Sequence, residues 1–109
     1  GAEWVVEDIG GGGIIDSSRV TIEFLDDNRV AGRGSCNRYM GSWNLTGEGL
    51  SFSRMAGTLM ACAPALMSQE QRVLDLMAEV NRFRIGPHGE LILSTTSGDN
   101  LRAFQSSDK

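Results

Sequence analysis

Lysine is almost missing from this chain: of ten basic residues in 109, nine are arginines and the tenth is Lys109. The arginines are scattered, acidic residues outnumber basic ones, and the formal net charge is −4. A nucleic-acid binder needs a clustered basic footprint to displace counterions from phosphates, so nucleic acid is set aside as a partner, and anionic membrane surfaces with it. Arg29, Arg33 and Arg38 could hold an anion, but solvated strand charges are the simpler reading. Long apolar runs are absent too, so no segment can cross a membrane as a helix of about 18 or more apolar residues. One histidine and two cysteines are too few for a four-ligand zinc site, and the wide spacing of Cys36 and Cys62 excludes a CxxC redox pair. There is no initiator Met. The chain opens Gly1-Ala2-Glu3-Trp4, which reads as a trimmed form with any signal peptide or lipid anchor removed.

What remains is an ordinary globular composition, 40% hydrophobic and 22% charged. The length fits one domain, 1–109, with a thin core. Short β-branched or alternating stretches recur between turn signals. Trp4 to Glu7 is followed by the run Gly10–Gly13. Val20 to Leu25 alternates with period two, stops at Asp26-Asp27-Asn28 and resumes at Arg29, which predicts a hairpin. A second hairpin is predicted for Tyr39 to Leu45 and Leu50 to Arg54 around Thr46-Gly47-Glu48-Gly49. Arg82 to Ile85, Leu91 to Leu93 and Leu101 to Phe104 are divided by Gly-Pro-His-Gly and Ser-Gly-Asp-Asn, two further tight turns.

One segment has a different period. Between Pro64 and Val80 there is no glycine, and Leu66, Val73, Leu74, Met77 and Val80 recur at helical intervals. Gln69, Glu70, Arg72, Asp75 and Glu79 fill the other face, Pro64 suits a helix start, and Asn81 can close the helix. The expected fold is mainly β: a small antiparallel barrel of about eight strands, with one helix at about 64–80 packed on its open end or flank. Closing the sheet removes its edges, and a barrel of this size is filled by its own side chains.

Few constellations point to chemistry. Cys36 and Cys62 could be a disulfide, two buried thiols or, least favoured, reactive groups. A bridge would add roughly 3–4 kcal/mol in the chain-entropy picture. The glycine run could cradle an anion, but no Gly-Lys-Ser/Thr ending follows it, so a flexible loop is preferred. His88 reads as an exposed turn residue, and no carboxylate pair suggests a hydrolase. Met55, Met60, Met67 and Met77 could form a methionine-rich binding surface, with core filling the preferred use. Neither a catalytic residue nor a cofactor or metal site is indicated.

The stretch Gly34-Ser35-Cys36-Asn37-Arg38-Tyr39-Met40-Gly41-Ser42-Trp43, and some twenty residues later Thr58-Leu59-Met60-Ala61-Cys62-Ala63, resembles the two signature segments of the META domain, or heat-shock protein HslJ-like, family. The resemblance extends over nearly the whole chain. It implies a compact antiparallel barrel with a helix against it, no enzymatic activity and no cofactor. It also implies a bacterial envelope setting (periplasmic, lipid-anchored at the outer membrane, or secreted) in which the cysteines would pair. Within the motif, Gly34, Gly41, Trp43, Thr58 and Met60 read as mainly structural. Leu59 departs from the pattern, since relatives often carry arginine there.

Three functions compete on these grounds. The preferred one is a non-catalytic, stress-related module, a monomer that binds or stabilises an envelope protein through a surface around Asn37, Arg38 and Tyr39. A structural role for those three is the competing reading: Asn37 completing a turn and Tyr39 packing in the barrel. The second function is small-molecule binding in the barrel mouth, and the third is thiol chemistry at Cys36 or Cys62. The domain itself is not expected to insert in a membrane.

Overall fold

In the computed structural model, which describes residues 3–47 and 49–106, the chain is mainly β with one helix. Glu48, in the second predicted turn, lies outside the described residues. The strands are β1 (Glu3–Ile9), β2 (Thr21–Leu25), β3 (Arg29–Arg33), β4 (Arg38–Thr46), β5 (Gly49–Phe52), β6 (Ala56–Gly57), β7 (Val80–Ile85), β8 (Leu91–Thr95) and β9 (Asn100–Gln105). The helix α1 (Pro64–Ala78) stands between β6 and β7. Eight strands close into an antiparallel barrel in the order β3-β2-β1-β9-β8-β7-β5-β4, and β4 returns to β3 through pairs running from Arg29↔Ser42 to Arg33↔Arg38. The ninth strand, β6, was not expected. It has two residues and lies on β4 beside Tyr39 and Met40, outside the ring.

Turn chemistry explains the hairpins. Asp27 and Asn28 both have positive φ, and the Arg29 N–H donates to the Asp26 carbonyl at 3.3 Å. That backbone matches the right-handed twist of the flanking strands, and Asn and Asp tolerate it better than bulkier residues do. Asn28 then ties the turn sideways: its carbonyl accepts from Trp43 N–H at 2.8 Å and its amide donates to the Trp43 carbonyl at 3.1 Å. Alternation does the rest. Val6, Ile22, Val30, Leu93, Leu101 and Ala103 point inward and are wholly buried.

The helix is shorter than expected. It stops at Ala78, because the Glu79 N–H turns back to the Leu76 carbonyl and Val80 is drawn into β7 opposite Thr95. Asn81 is therefore a strand residue. No side chain caps the N-terminus, although Pro64 occupies the first turn as expected. Tertiary contacts hold the helix instead. Val73 and Met77 are fully buried in the barrel core, each side chain contributing about 1.5–3 kcal/mol relative to exposure. The third buried position on the same stripe is Gln69, four residues before Val73, so the expected polar face is in part an inner face.

Gln69 Oε1 accepts from Ile15 N–H at 2.8 Å, and its amide donates to Ser18 Oγ at 3.0 Å and Ser35 Oγ at 2.8 Å. Arg72 donates to the Ile9 carbonyl at 3.0 Å. These partners lie where β1 ends, β2 begins and β3 ends, so the helix lies over one end of the barrel. The glycine run beside it is not a free loop. Asp8 accepts from Gly11 N–H at 2.8 Å and from Gly13 N–H at 2.7 Å, so the run does cradle a carboxylate, one supplied by its own chain.

Where β2 and β4 begin, the Tyr39 hydroxyl donates to the Thr21 carbonyl at 2.7 Å across Gly32. A Cβ at position 32 would stand 2.1 Å from that carbonyl oxygen and 2.7 Å from the hydroxyl, so only glycine fits. Burial pushes the Tyr39 pKa far above the ordinary tyrosine value. The folded state thus favours the neutral phenol. The stability this contributes is fully present below the unfolded pKa of about 10 and is lost as pH rises beyond it. Tyr39 is the sole tyrosine. An alkaline titration of tyrosinate absorbance is expected to show no ionisation near pH 10 while the fold persists, then a single step coincident with loss of the circular-dichroism signal.

Candidate functional site

The two signature segments meet at the helix end of the barrel. Ser35 takes a positive φ, which turns the chain sharply between β3 and β4, and the Gly34 N–H closes the turn on the Asn37 carbonyl at 2.9 Å. Turned inward there, the Asn37 side chain uses every hydrogen-bonding position it has. Its Oδ1 accepts from Met60 N–H at 2.6 Å and from Thr58 Oγ1 at 3.1 Å, while Nδ2 donates to Glu70 Oε2 at 2.9 Å and to the Met60 carbonyl at 3.3 Å. Glu70, on α1, returns two more bonds. Its Oε1 accepts from Cys36 N–H at 3.0 Å and Asn37 N–H at 2.6 Å. Gly34 leaves the space for this carboxylate: a Cβ there would come within 3.0 Å of Glu70 Cγ.

Cys36 and Cys62 form a disulfide spanning a sequence separation of 26. It ties the start of β4 to the residues leading into α1, parallel to the Asn37 bonds. Of the readings open in the sequence, a bridge is what the structure contains, and thiol chemistry at either residue is not available to the oxidised chain. A disulfide is at home in an oxidising, extracellular-type compartment. No helix among the described residues is long and apolar enough to cross a membrane.

The expected interaction surface needs correction. Asn37 is 7% exposed and Tyr39 4%, and only Arg38 of the three lies in solvent. Strand alternation is the reason: with Tyr39 pointing into the barrel, Arg38 must point out, and Asn37 is turned in by its four bonds. The Arg38 backbone N–H meets Thr58 Oγ1 at 3.2 Å. Gly41 lets Met55 and Ser53 lie against β4, since a Cβ there would come within 2.6 Å of Met55 Sδ. Trp43 packs edge-to-face on Phe24, with ring centroids 5.9 Å apart. His88 is exposed in its turn, and the backbone N–H of Glu90 itself, followed by that of His88, holds the Glu90 carboxyl below the usual carboxylate range.

The methionines divide. Met77 fills the core and Met55 packs at its edge, but Met60 and Met67 are exposed, as is Met40. Met60 and Met67, with Leu59 and Leu74, border a groove of about 500 Å³ between α1 and the segment Thr58–Ala61. Leu59 is 99% exposed, yet its neighbours are anchored: Thr58 and Met60 by Asn37, and the segment beyond by Cys62. Neither Glu70 nor Leu59 stands out by periodicity. Leu59 sits among other small and apolar residues, and Glu70 meets Gly34 only once the chain is folded.

The described residues include no group of three or more His, Cys, Asp or Glu side chains placed to hold a metal ion. Removing the amide of Asn37 leaves the Met60 N–H and carbonyl and the Glu70 carboxylate short of partners. Asn37→Ala is expected to cost about 2–4 kcal/mol in urea unfolding. Asn37→Asp is expected to be no better, because it sets a second carboxylate against Glu70.

The META domain family model matches residues 1–108. Two solved structures share the fold. An NMR structure of a protein from Burkholderia xenovorans is 24% identical, covers 98% of this chain and 83% of its own, and superposes with a TM-score of 0.79. A second NMR structure, also 24% identical, covers 94% of this chain and 87% of its own with a TM-score of 0.73. No curated protein matches the chain.

Proposed function

This chain belongs to the META domain family, and from that premise we propose that it is a non-catalytic module of the bacterial cell envelope that binds a protein partner under stress. The carrying observation is Leu59. A leucine wholly in water is unremarkable on a mobile loop, but here it stands between two clamped residues, on a groove it shares with exposed Met60 and Met67. A fixed apolar knob with flexible methionines around it suits capture of apolar side chains, because little ordering cost remains at binding. Methionine is among the residues enriched at protein interfaces.

Non-catalysis is supported by how the polar groups are used. The cysteines are bonded to each other, the Glu70 carboxylate and the Asn37 amide are spent on each other and on backbone, and Asp8 is held by the glycine run. The disulfide supports an oxidising compartment, and with it an envelope or secreted location. The stress association and the monomeric state rest on the family reading alone.

A photo-crosslinking residue at position 67, in the groove, is expected to give one discrete adduct in bacterial envelopes, and the same residue at exposed Glu79 none. Leu59→Asp should reduce the adduct by more than about tenfold without moving the melting temperature, since Leu59 makes no core contact. An adduct of equal intensity with Leu59→Asp, or none at position 67, would sink the reading.

A further inference from the structure

The barrel end opposite the helix has no cover among the described residues. β1 begins there, β2, β4 and β7 end there, and their inward side chains Trp4, Phe24, Trp43, Leu45, Phe83 and Ile85 line an apolar cleft of about 250 Å³. The cleft is a cup and not a channel. Leu50 and Leu91 lie at its base, and the wholly buried Leu93 and Leu101 fill the barrel behind it. Leu45, Phe83 and Ile85 are exposed at its rim, which leaves large apolar surface in water where folding would ordinarily cover it.

Trp43, which lines this cup, also carries the one buried side-chain nitrogen or oxygen among the described residues that has no hydrogen-bond partner, its indole nitrogen, which other protein atoms cover. Buried donors are nearly always paired, so an orphan on a side chain that lines a cleft calls for an acceptor. We propose that the mouth of the barrel binds a small molecule with a compact aromatic or short aliphatic body and one hydrogen-bond acceptor. The body fills the cup, and the acceptor reaches the indole N–H by displacing the side chains that now cover it. Size sets the class. A cavity of about 150 Å³ holds benzene, and drug-sized ligands need about 300 Å³ or more, so one or two rings, or a chain of similar bulk, is the fitting occupant. This site is separate from the Leu59 groove and does not depend on it.

Both tryptophans of the chain line the cleft, so their two indole N–H resonances report on it directly. Acetophenone and ethylbenzene share ring and shape and differ in the carbonyl acceptor. On titration into the ¹⁵N-labelled protein, acetophenone is expected to move the Trp43 indole resonance saturably, with ethylbenzene binding about three- to tenfold more weakly. Trp43→Phe should abolish the difference between the two compounds. Phe83→Ser, on the exposed rim, should weaken both and keeps the test available if the Trp43 variant does not fold. The proposal is overturned if neither compound saturates up to its solubility, or if the two bind equally. It is also overturned if the resonances shift with protein concentration alone, which would assign the mouth to a second copy of the chain.

Discussion

The contact between the Asn37 amide and the Glu70 carboxylate, 2.9 Å long, organises one whole end of this molecule. A helix with no side-chain N-cap, following a strand of only two residues, has little of its own to fix its angle on a barrel. Glu70 supplies that angle by reaching into the turn beside Gly34, where a Cβ would crowd its side chain at 3.0 Å. Asn37 passes the constraint on to the segment Thr58–Met60. A neutral amide is the right group for this, since it donates to a carboxylate and accepts from backbone and hydroxyl together, which neither an aspartate nor an aliphatic side chain can do. The disulfide works on the same pair of segments by another route. It restricts the unfolded chain, whereas the amide and carboxylate give the folded chain its geometry.

The two ends of the barrel consequently differ in kind. At the helix end, polar groups are paired, with buried Gln69, half-buried Asp8 and exposed Arg72 each satisfying backbone where strands stop. At the other end the inward residues are aromatic or aliphatic, and the described residues lay nothing over them. A closed eight-stranded wall does not need both ends covered to hold together, because its hydrogen-bond ladder has no free edge. Stability is thereby concentrated at the helix end, and the mouth is left free to carry apolar surface for another purpose.

Most of the architecture was legible from period and punctuation. Asp26-Asp27-Asn28 announced its hairpin, the change from alternation to three- and four-residue spacing announced the helix, and the count of strands announced a barrel. The failures share a cause: pattern reading assigns polar residues to solvent. It placed Gln69 on the outer face of α1, where the structure buries it against Ile15, Ser18 and Ser35. It offered Asn37 as surface, where four bonds turn it inward. β6 was invisible because two residues carry no period. A barrel mouth was expected, but which residues line it was invisible, because an inward aromatic at the end of a strand looks the same in sequence as one in the middle, and only the fold shows which ring has a neighbour above it.

The signature stretch takes on a wider meaning in this light. Asn37, Tyr39, Trp43 and Leu45 run along one strand and the turn before it, from the knotted end to the open one. Asn37 anchors the helix, Tyr39 donates to Thr21 where β2 begins, and Trp43 and Leu45 line the mouth. β4 is also the strand on which β3, β5 and β6 all pair. A shift of one residue in its register would turn every one of those side chains to the wrong face, so the bonds of Asn37 at one end also fix the aromatic wall at the other. The motif is structural throughout its buried half, and by being so it presents two surfaces. The exposed knob at Leu59 is held by the loop that Asn37 clamps, and the mouth is shaped by the strand that Asn37 begins.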